Sequence, residues 1–361
     1  MGSATLIGLG NIGAALAPLI ARMPGISAIT LVDPDVYSES NLSTQAIDGA
    51  ALGKPKVAVQ AALISAINPQ ISVEPIQNRV ENVPLAVLRS SVVIACVDNR
   101  RARQTINRIA WRCGSPWIDA AVDAPSLVRV NTYMPGESAC IECGWTEISY
   151  ELLEQDYACD VGSEISVSAT AAPAELGTLA AALQAAELRK LLSGATNGAS
   201  LVGAQVMLDT ATHMTHLTRF ERSENCKFDH QTWEIDTSDL KPRANTLADA
   251  FDAVDGGPGS ALRLEGHTFA TFLDCVACSK RMSIGPAIYS RLSAAERTCE
   301  CGGWLFATGF FSFDALQNAD LSMVNRYLKL ADVGLRTGDV VSITDAAGTV
   351  RHLEIGGKAA Q

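Results

Sequence analysis

The feature that most constrains this chain is Gly8-Leu9-Gly10-Asn11-Ile12-Gly13, a G-x-G-x-x-G set between the β-like run ATLIGLG and the helix-periodic run NIGAALAPLIARM. Glycines placed so let backbone amides approach phosphate oxygens at a helix N-terminus. A second apolar strand, AITLVDPD, ends on Asp33, 20 residues after Gly13. There a carboxylate can take both hydrogen bonds from a ribose diol. The glycines alone would equally mark a structural turn. With Asp33 they point to a nucleotide, and an NAD-dependent dehydrogenase would carry the same signal.

The alternation of strand and helix continues. Val57, Ala61, Ile64 and Ile67 repeat at helical spacing and are followed by the strand-like ISVEPI. SSVVIACVDN reads as a buried fourth strand, RRARQTINRIAWRCG as a helix ending at glycine, and PWIDAAVD as a fifth strand. This order predicts an α/β fold with a Rossmann-like, doubly wound, mostly parallel sheet, whose ligands sit beyond the strand C-termini. Pro173 to Leu192, alanine-rich with leucines at helical spacing, is expected to be a long buried helix. We place the first domain at residues 1–235 and a smaller α+β, zinc-ribbon-like module at 236–361, ending in a hairpin, VVSITDAAGTVRHLEI, that turns at AAG.

Hydrophobic residues make up 48% of the 361-residue chain and charged residues 19%, the composition of an ordered globular protein. A net charge of -11 argues against a nucleic-acid scaffold, which needs a basic face. The apolar run from Thr5 to Ile20 contains three glycines and follows no basic n-region, so it reads neither as a signal peptide nor as a membrane span. A cytoplasmic location is expected. Ten cysteines then read as metal ligands and free thiols before disulfides.

DPDVYSESNLSTQ, GKPKV, INPQ and CVDNRRARQTIN follow the first βαβ unit in an order that closely resembles the ThiF/MoeB superfamily of ubiquitin-activating-enzyme-like proteins, over about residues 4 to 235. The resemblance implies ATP in place of NAD. It implies an asparagine and a glutamine near the phosphates, Asn41 and Gln45, a lysine countering phosphate charge, Lys56, and an aspartate serving Mg2+, Asp98. Each also has a plainer reading: Lys56 as a solvated helix lysine, Asp98 as the N-cap of the helix starting near Arg100. Asn99 and Arg103 match the family's DN-x-x-x-R spacing, Arg103 as a supporting residue. Thr44 stands where the family usually has an arginine, with Arg100 or Arg101 as nearby substitutes. The arginine that the family's N-terminal extension carries to a partner's ATP has no counterpart before the first strand.

Among the cysteines, Cys140-x2-Cys143 and Cys226-x3-His230 stand where the family clamps a structural Zn2+ with two C-x-x-C pairs, so the resemblance implies one site with histidine as fourth ligand. Cys275-x2-Cys278 and Cys299-x-Cys301, 20 residues apart, read as a closed zinc ribbon in the appended module, or as unmetallated thiols. Cys159, in an expected loop before SEISVSAT, resembles the sulfur-handling cysteine of ThiF-like relatives. It is the candidate for a thioester or persulfide link. Cys96 and Cys113 read as core residues.

The resemblance thus implies an enzyme that adenylates the C-terminal glycine of a ubiquitin-like or sulfur-carrier protein, as a homodimer. The appended module, which lies outside the resemblance and shows no rhodanese-like segment after residue 240, is expected to dock the carrier or a conjugating enzyme. Adenylation of another carboxylate or a tRNA-linked group, and a non-catalytic scaffold, are the competing expectations.

Overall fold

The computed structural model describes residues 2–89, 91–123, 125–159, 172–194, 200–345 and 347–357, with no description of the side chains of 154–159. The chain divides into two compact units, one of residues 1–83 and 88–232, the other of 84–87 and 233–361.

In chain order the first unit contains β1 (Gly2–Ile7), α1 (Asn11–Ala21), β2 (Ile26–Val32), α2 (Lys56–Ile67), β3 (Ser72–Ile76), β4 (Val92–Ala95), α3 (Arg100–Cys113), β5 (Trp117–Asp123), β6 (Leu127–Tyr133), α4 (Glu147–Cys159), α5 (Ala174–Leu192), β7 (Ala204–Asp209) and β8 (Met214–Arg219). The eight strands form one sheet in the order β3-β2-β1-β4-β5-β6-β7-β8. The first five run parallel and carry continuous apolar stretches, such as the wholly buried Val92–Ala95 of β4. That is the pattern of strands covered on both faces. From β5 onward the pairing turns antiparallel. Four of the seven pairings are parallel and three antiparallel, so the sheet is mostly parallel as expected, and its last three strands, β6, β7 and β8, are additions to the expected five.

One core joins the sheet to α1, α2 and α5 through Leu6, Leu16, Ile20, Ile64, Ile94 and Leu188. The predicted helix from Pro173 is α5, with Pro173 as its N-cap residue. In α3, Ala102, Ile106, Ile109 and Ala110 form the buried stripe, and the helix stops at Gly114, whose φ of 65° lies in the left-handed region.

The second unit holds β9 (Ile235–Thr237), α6 (Leu247–Asp252), β10 (Ala261–Leu264), β11 (Phe269–Cys275), β12 (Arg281–Ile288), β13 (Leu305–Phe306), β14 (Ser312–Phe313), β15 (Leu316–Gln317), α7 (Met323–Arg326), β16 (Val340–Thr344) and β17 (Val350–Glu354). A five-stranded sheet, β15-β10-β16-β17-β9, packs around Phe251, Leu262 and Ile343. The predicted terminal hairpin is β16–β17. A second sheet, β12-β11-β13 with β14 also on β11, carries the later cysteines. No helix among the described residues is long and apolar enough to cross a membrane.

Candidate nucleotide site and metal centres

The glycine loop joins β1 to α1 at the carboxyl end of the parallel strands, and sterics dictate two of its glycines. Gly8 has φ +88°, and a Cβ there would lie 2.6 Å from the Cys96 carbonyl oxygen. A Cβ at Gly13 would lie 2.0 Å from the Gly8 carbonyl oxygen, so α1 starts closer to β1 than any side chain permits. Gly10 is different. A Cβ there would meet nothing nearer than Gln45 Nε2 at 4.0 Å. Gly10 is also the N-cap position of α1 and supplies no side-chain cap, leaving the helix's first amides to whatever enters the crevice.

Asp33, at the end of β2, closes the loop from beside. Its Oδ2 accepts the Leu9 N–H at 2.6 Å and its Oδ1 accepts the Asp35 N–H at 2.8 Å. Only 5% exposed, it has its pKa raised by burial, partly offset by the Lys56 charge. Lys56 opens α2 and is buried, with Nζ 2.9 Å from Asp35 Oδ2. The solvated-lysine reading is therefore wrong: this ammonium is packed beside the Asp33 loop and held by a carboxylate that is itself 60% exposed. Gln45 lies against the glycine loop with a buried Oε1 that has no hydrogen-bond partner, as expected of an acceptor awaiting a ligand or water. Asn41 is engaged within its own turn. Its Oδ1 accepts from the Ser38 N–H at 2.9 Å, closing a local capping box.

Asp98 follows β4, two residues beyond the Cys96 carbonyl that abuts Gly8. It is exposed, and Asn99 Nδ2 donates to its Oδ1 at 3.1 Å. The N-cap of α3 is Asn99, whose Oδ1 accepts from the Ala102 N–H at 2.8 Å, and not Asp98. Capping thus falls to the neighbour and Asp98 keeps an unengaged carboxylate oxygen, which fits a hard cation with oxygen ligands. Arg103 is buried behind this turn, donating to Asp119 Oδ1 at 2.9 Å and to the Val97 carbonyl at 2.7 Å. It holds the strand end that presents Asp98. Asn11 bonds the carbonyls of Ala172 and Pro173 at 2.8 and 3.1 Å, tying the glycine loop to the start of α5.

The first cysteine set comes together as the family resemblance implies. Cys140, Cys143, Cys226 and His230 place their ligand atoms within 4.8 Å of one another, with Cys143 Sγ 3.2 Å from His230 Nε2. The hydrogen bond shared between the two thiols pushes the Cys143 pKa down and the Cys140 pKa up. Trp111 and Phe228 wall the cluster, Trp111 with its ring centroid 4.9 Å from that of His230. Arg112 grips Asp229 with two bonds, 2.6 and 3.0 Å, pinning the ligand-bearing loop to α3. Buried Glu142, between the two first cysteines, accepts from Gln104, Asn107 and Tyr150. Sequence reasoning passed over this shell because its members are scattered polar residues with no motif.

In the second unit, Cys275, Cys278, Cys299 and Cys301 also gather within 4.8 Å. Backbone N–H groups, first that of Cys278 and then that of Ala277, hold the Cys275 pKa down to about 6. A Cβ at Gly303 would lie 2.8 Å from Cys275 Sγ, so the chain folds tightly over the sulfurs. Both donor sets match Zn2+ in ligand type and number. Cys159 ends α4 and is not in a loop; its side chain, and residues 160–171, lie outside the described residues. Cys96 is buried, with Sγ 3.1 Å from Gln184 Oε1.

A doubly wound sheet with a glycine loop, a strand-end aspartate and an enclosed lysine is the frame of a nucleotide-binding α/β protein. Solved structures share the fold: E. coli MccB with ATP matches with a TM-score of 0.51 and 22% identity, over 63% of this chain and 66% of that one. The chain belongs to the ThiF family, whose profile matches residues 2–228. Molybdopterin-synthase adenylyltransferase of Escherichia coli (strain K12) is 30% identical over 226 residues, 62% of this chain and 84% of that protein. The Sulfur carrier protein ThiS adenylyltransferase of the same organism is 32% identical over 193 residues, 52% of this chain and 71% of that one.

Proposed function

We propose that this chain uses ATP to adenylate a carboxylate, the C-terminal glycine of a ubiquitin-like or sulfur-carrier protein. The observation that carries the reading is the packing of Asp33, Lys56 and Gln45 around the Gly8–Gly13 loop. Hydride transfer would not call for a lysine beside the phosphate loop and a free strand-end carboxylate. Both suit attack of a carboxylate oxygen on the α-phosphorus with departure of pyrophosphate.

In this mechanism Asp33 accepts from the ribose hydroxyls and the amides at the start of α1 face the phosphates. Lys56 shifts from Asp35 toward the charge that builds on the phosphoryl oxygens, and Gln45 and Asn41 line the path. Mg2+ held by Asp98, with Asn99 beside it, would neutralise phosphate charge. Arg103 keeps that turn in place. Zn2+ at each cysteine set would be structural, because all four positions are filled by protein ligands. Cys159 is the candidate for accepting the acyl group as a thioester, with AMP leaving, in a homodimeric cytoplasmic enzyme whose second unit docks the carrier or a conjugating enzyme.

Pyrophosphate exchange tests the first step. Asp98→Ala should lower exchange about 100- to 1000-fold, while Cys159→Ala should preserve exchange and abolish only a reductant-sensitive covalent adduct with the carrier. Tight NAD binding without ATP binding would defeat the adenylation reading, and loss of exchange in Cys159→Ala with the fold intact would defeat the division of labour.

A further inference from the structure

Tyr37 belongs to none of the roles assigned so far, yet it sits fully buried beneath the glycine loop. Its hydroxyl donates to the Leu9 carbonyl at 3.2 Å and accepts from Gln60 Nε2 at 2.9 Å. With Gln60 occupying the oxygen's lone pair, the Tyr37 proton is committed to Leu9. Burial pushes the phenol up to about 12, so the group remains a donor across the working pH range. Gln60 is also fully buried, midway along α2, where an apolar residue would otherwise pack.

The consequence lies on the other side of the peptide. The chain has no cis bonds among the described residues, and a trans peptide carries its C=O and N–H on opposite sides. Fixing the Leu9 carbonyl toward buried Tyr37 therefore turns the Gly10 N–H away from it, on the half-exposed side of the loop. No bond from the Gly10 N–H exists among the described residues. The preceding peptide is fixed as well, by the Leu9 N–H to Asp33 Oδ2. Two successive peptides are thus clamped and one amide is left facing outward. The Tyr37 ring also backs the Lys56 ammonium, 5.8 Å from its centroid.

We propose that Tyr37, held by Gln60, is a positioning residue of the nucleotide site, whose hydroxyl orients the Leu9–Gly10 peptide so that the Gly10 N–H meets a phosphate oxygen. The proposal rests on the nucleotide reading above. Removing the hydroxyl while keeping the ring leaves the Lys56 contact intact and frees one peptide to turn. The loss falls on phosphate recognition and spares the ribose contact at Asp33.

The test is displacement of a fluorescent ATP analogue by ATP and by adenosine, with Mg2+ present, from the full chain. Tyr37→Phe should weaken ATP about tenfold, toward the low end of what an unpaired buried carbonyl costs, and leave adenosine unchanged. Gln60→Met, which keeps the phenol, should shift ATP in the same direction by about threefold; if Tyr37→Phe fails to fold, the ATP-to-adenosine ratio of Gln60→Met decides. Equal ATP affinity in variant and wild type, or parallel losses for ATP and adenosine, would overturn the proposal alone. A wild-type protein that does not bind ATP would overturn the nucleotide reading and this proposal with it.

Discussion

Replacing Gly13 by alanine sets two effects of opposite sign against each other. Gly13 is the third residue of α1, where alanine is favoured over glycine by about 1 kcal/mol in an ordinary helix. The new methyl, however, would stand 2.0 Å from the Gly8 carbonyl oxygen and 2.9 Å from its carbon. Carbon and oxygen approach to about 3.3 Å, so roughly 1.3 Å must come from moving the helix off the strand. Both obstructing atoms are backbone, and no rotamer change relieves them. Overpacking of this kind costs about 1–3 kcal/mol, and its upper end applies here. The net expectation is a loss of about 2 kcal/mol, lowering the melting temperature of the first unit by about 4–8 °C. Gly49→Ala serves as the control, since its Cβ would meet nothing within 4 Å and its φ is not positive. Circular dichroism melts of both variants, read beside ATP binding, give the comparison. A Gly13→Ala protein that melts at or above the wild type would show that propensity wins and that the close approach of α1 to β1 is not a constraint.

Because burial raises the Asp33 pKa, the folded chain binds its proton more readily than the unfolded chain. Acidification thus favours the fold at this group while removing the charged ribose acceptor, so ATP affinity should begin to fall above the ordinary carboxylate range. Asp33→Asn should flatten that dependence, and an unaltered pH profile in this variant would show that another group titrates. Elemental analysis should find two zinc ions per chain, and one in either Cys226→Ser or Cys278→Ser; fewer than one in the wild type would reject both centres.

The parallel part of the sheet was legible because burial on both faces demands unbroken apolar runs such as VVIA, and because capping and glycine signals bound the helices between them. The antiparallel part was not. In β8 all six residues are exposed, so MTHLTR carries no burial pattern, while β6 alternates only over its first four residues and β7 shows no alternation. The residues of the site divide the same way. Those with a motif could be named from the sequence, Asp33 and the second cysteine set by spacing and Lys56 and the first cysteine set through the family resemblance, whereas Tyr37, Gln60 and Glu142 act through partners brought in by the fold. Gln60 did leave a trace: it shares with Val57 and Ile64 the buried face of α2, where a glutamine must find a hydrogen bond.

Helix α3 ties these levels together. At its start Asn99 caps the helix beside Asp98, while Arg103 anchors the strand end through Asp119. At its finish Trp111 and Arg112 hold the histidine-bearing loop of the first cysteine set. Fourteen helical residues span about 21 Å, so one rigid element spans from the proposed magnesium carboxylate to the proposed zinc centre. Loss of that metal would free the loop from one of its anchors and act on the nucleotide end only by loosening α3. A zinc-site variant should therefore lose stability first and exchange activity second, in proportion to how far its helix unfolds.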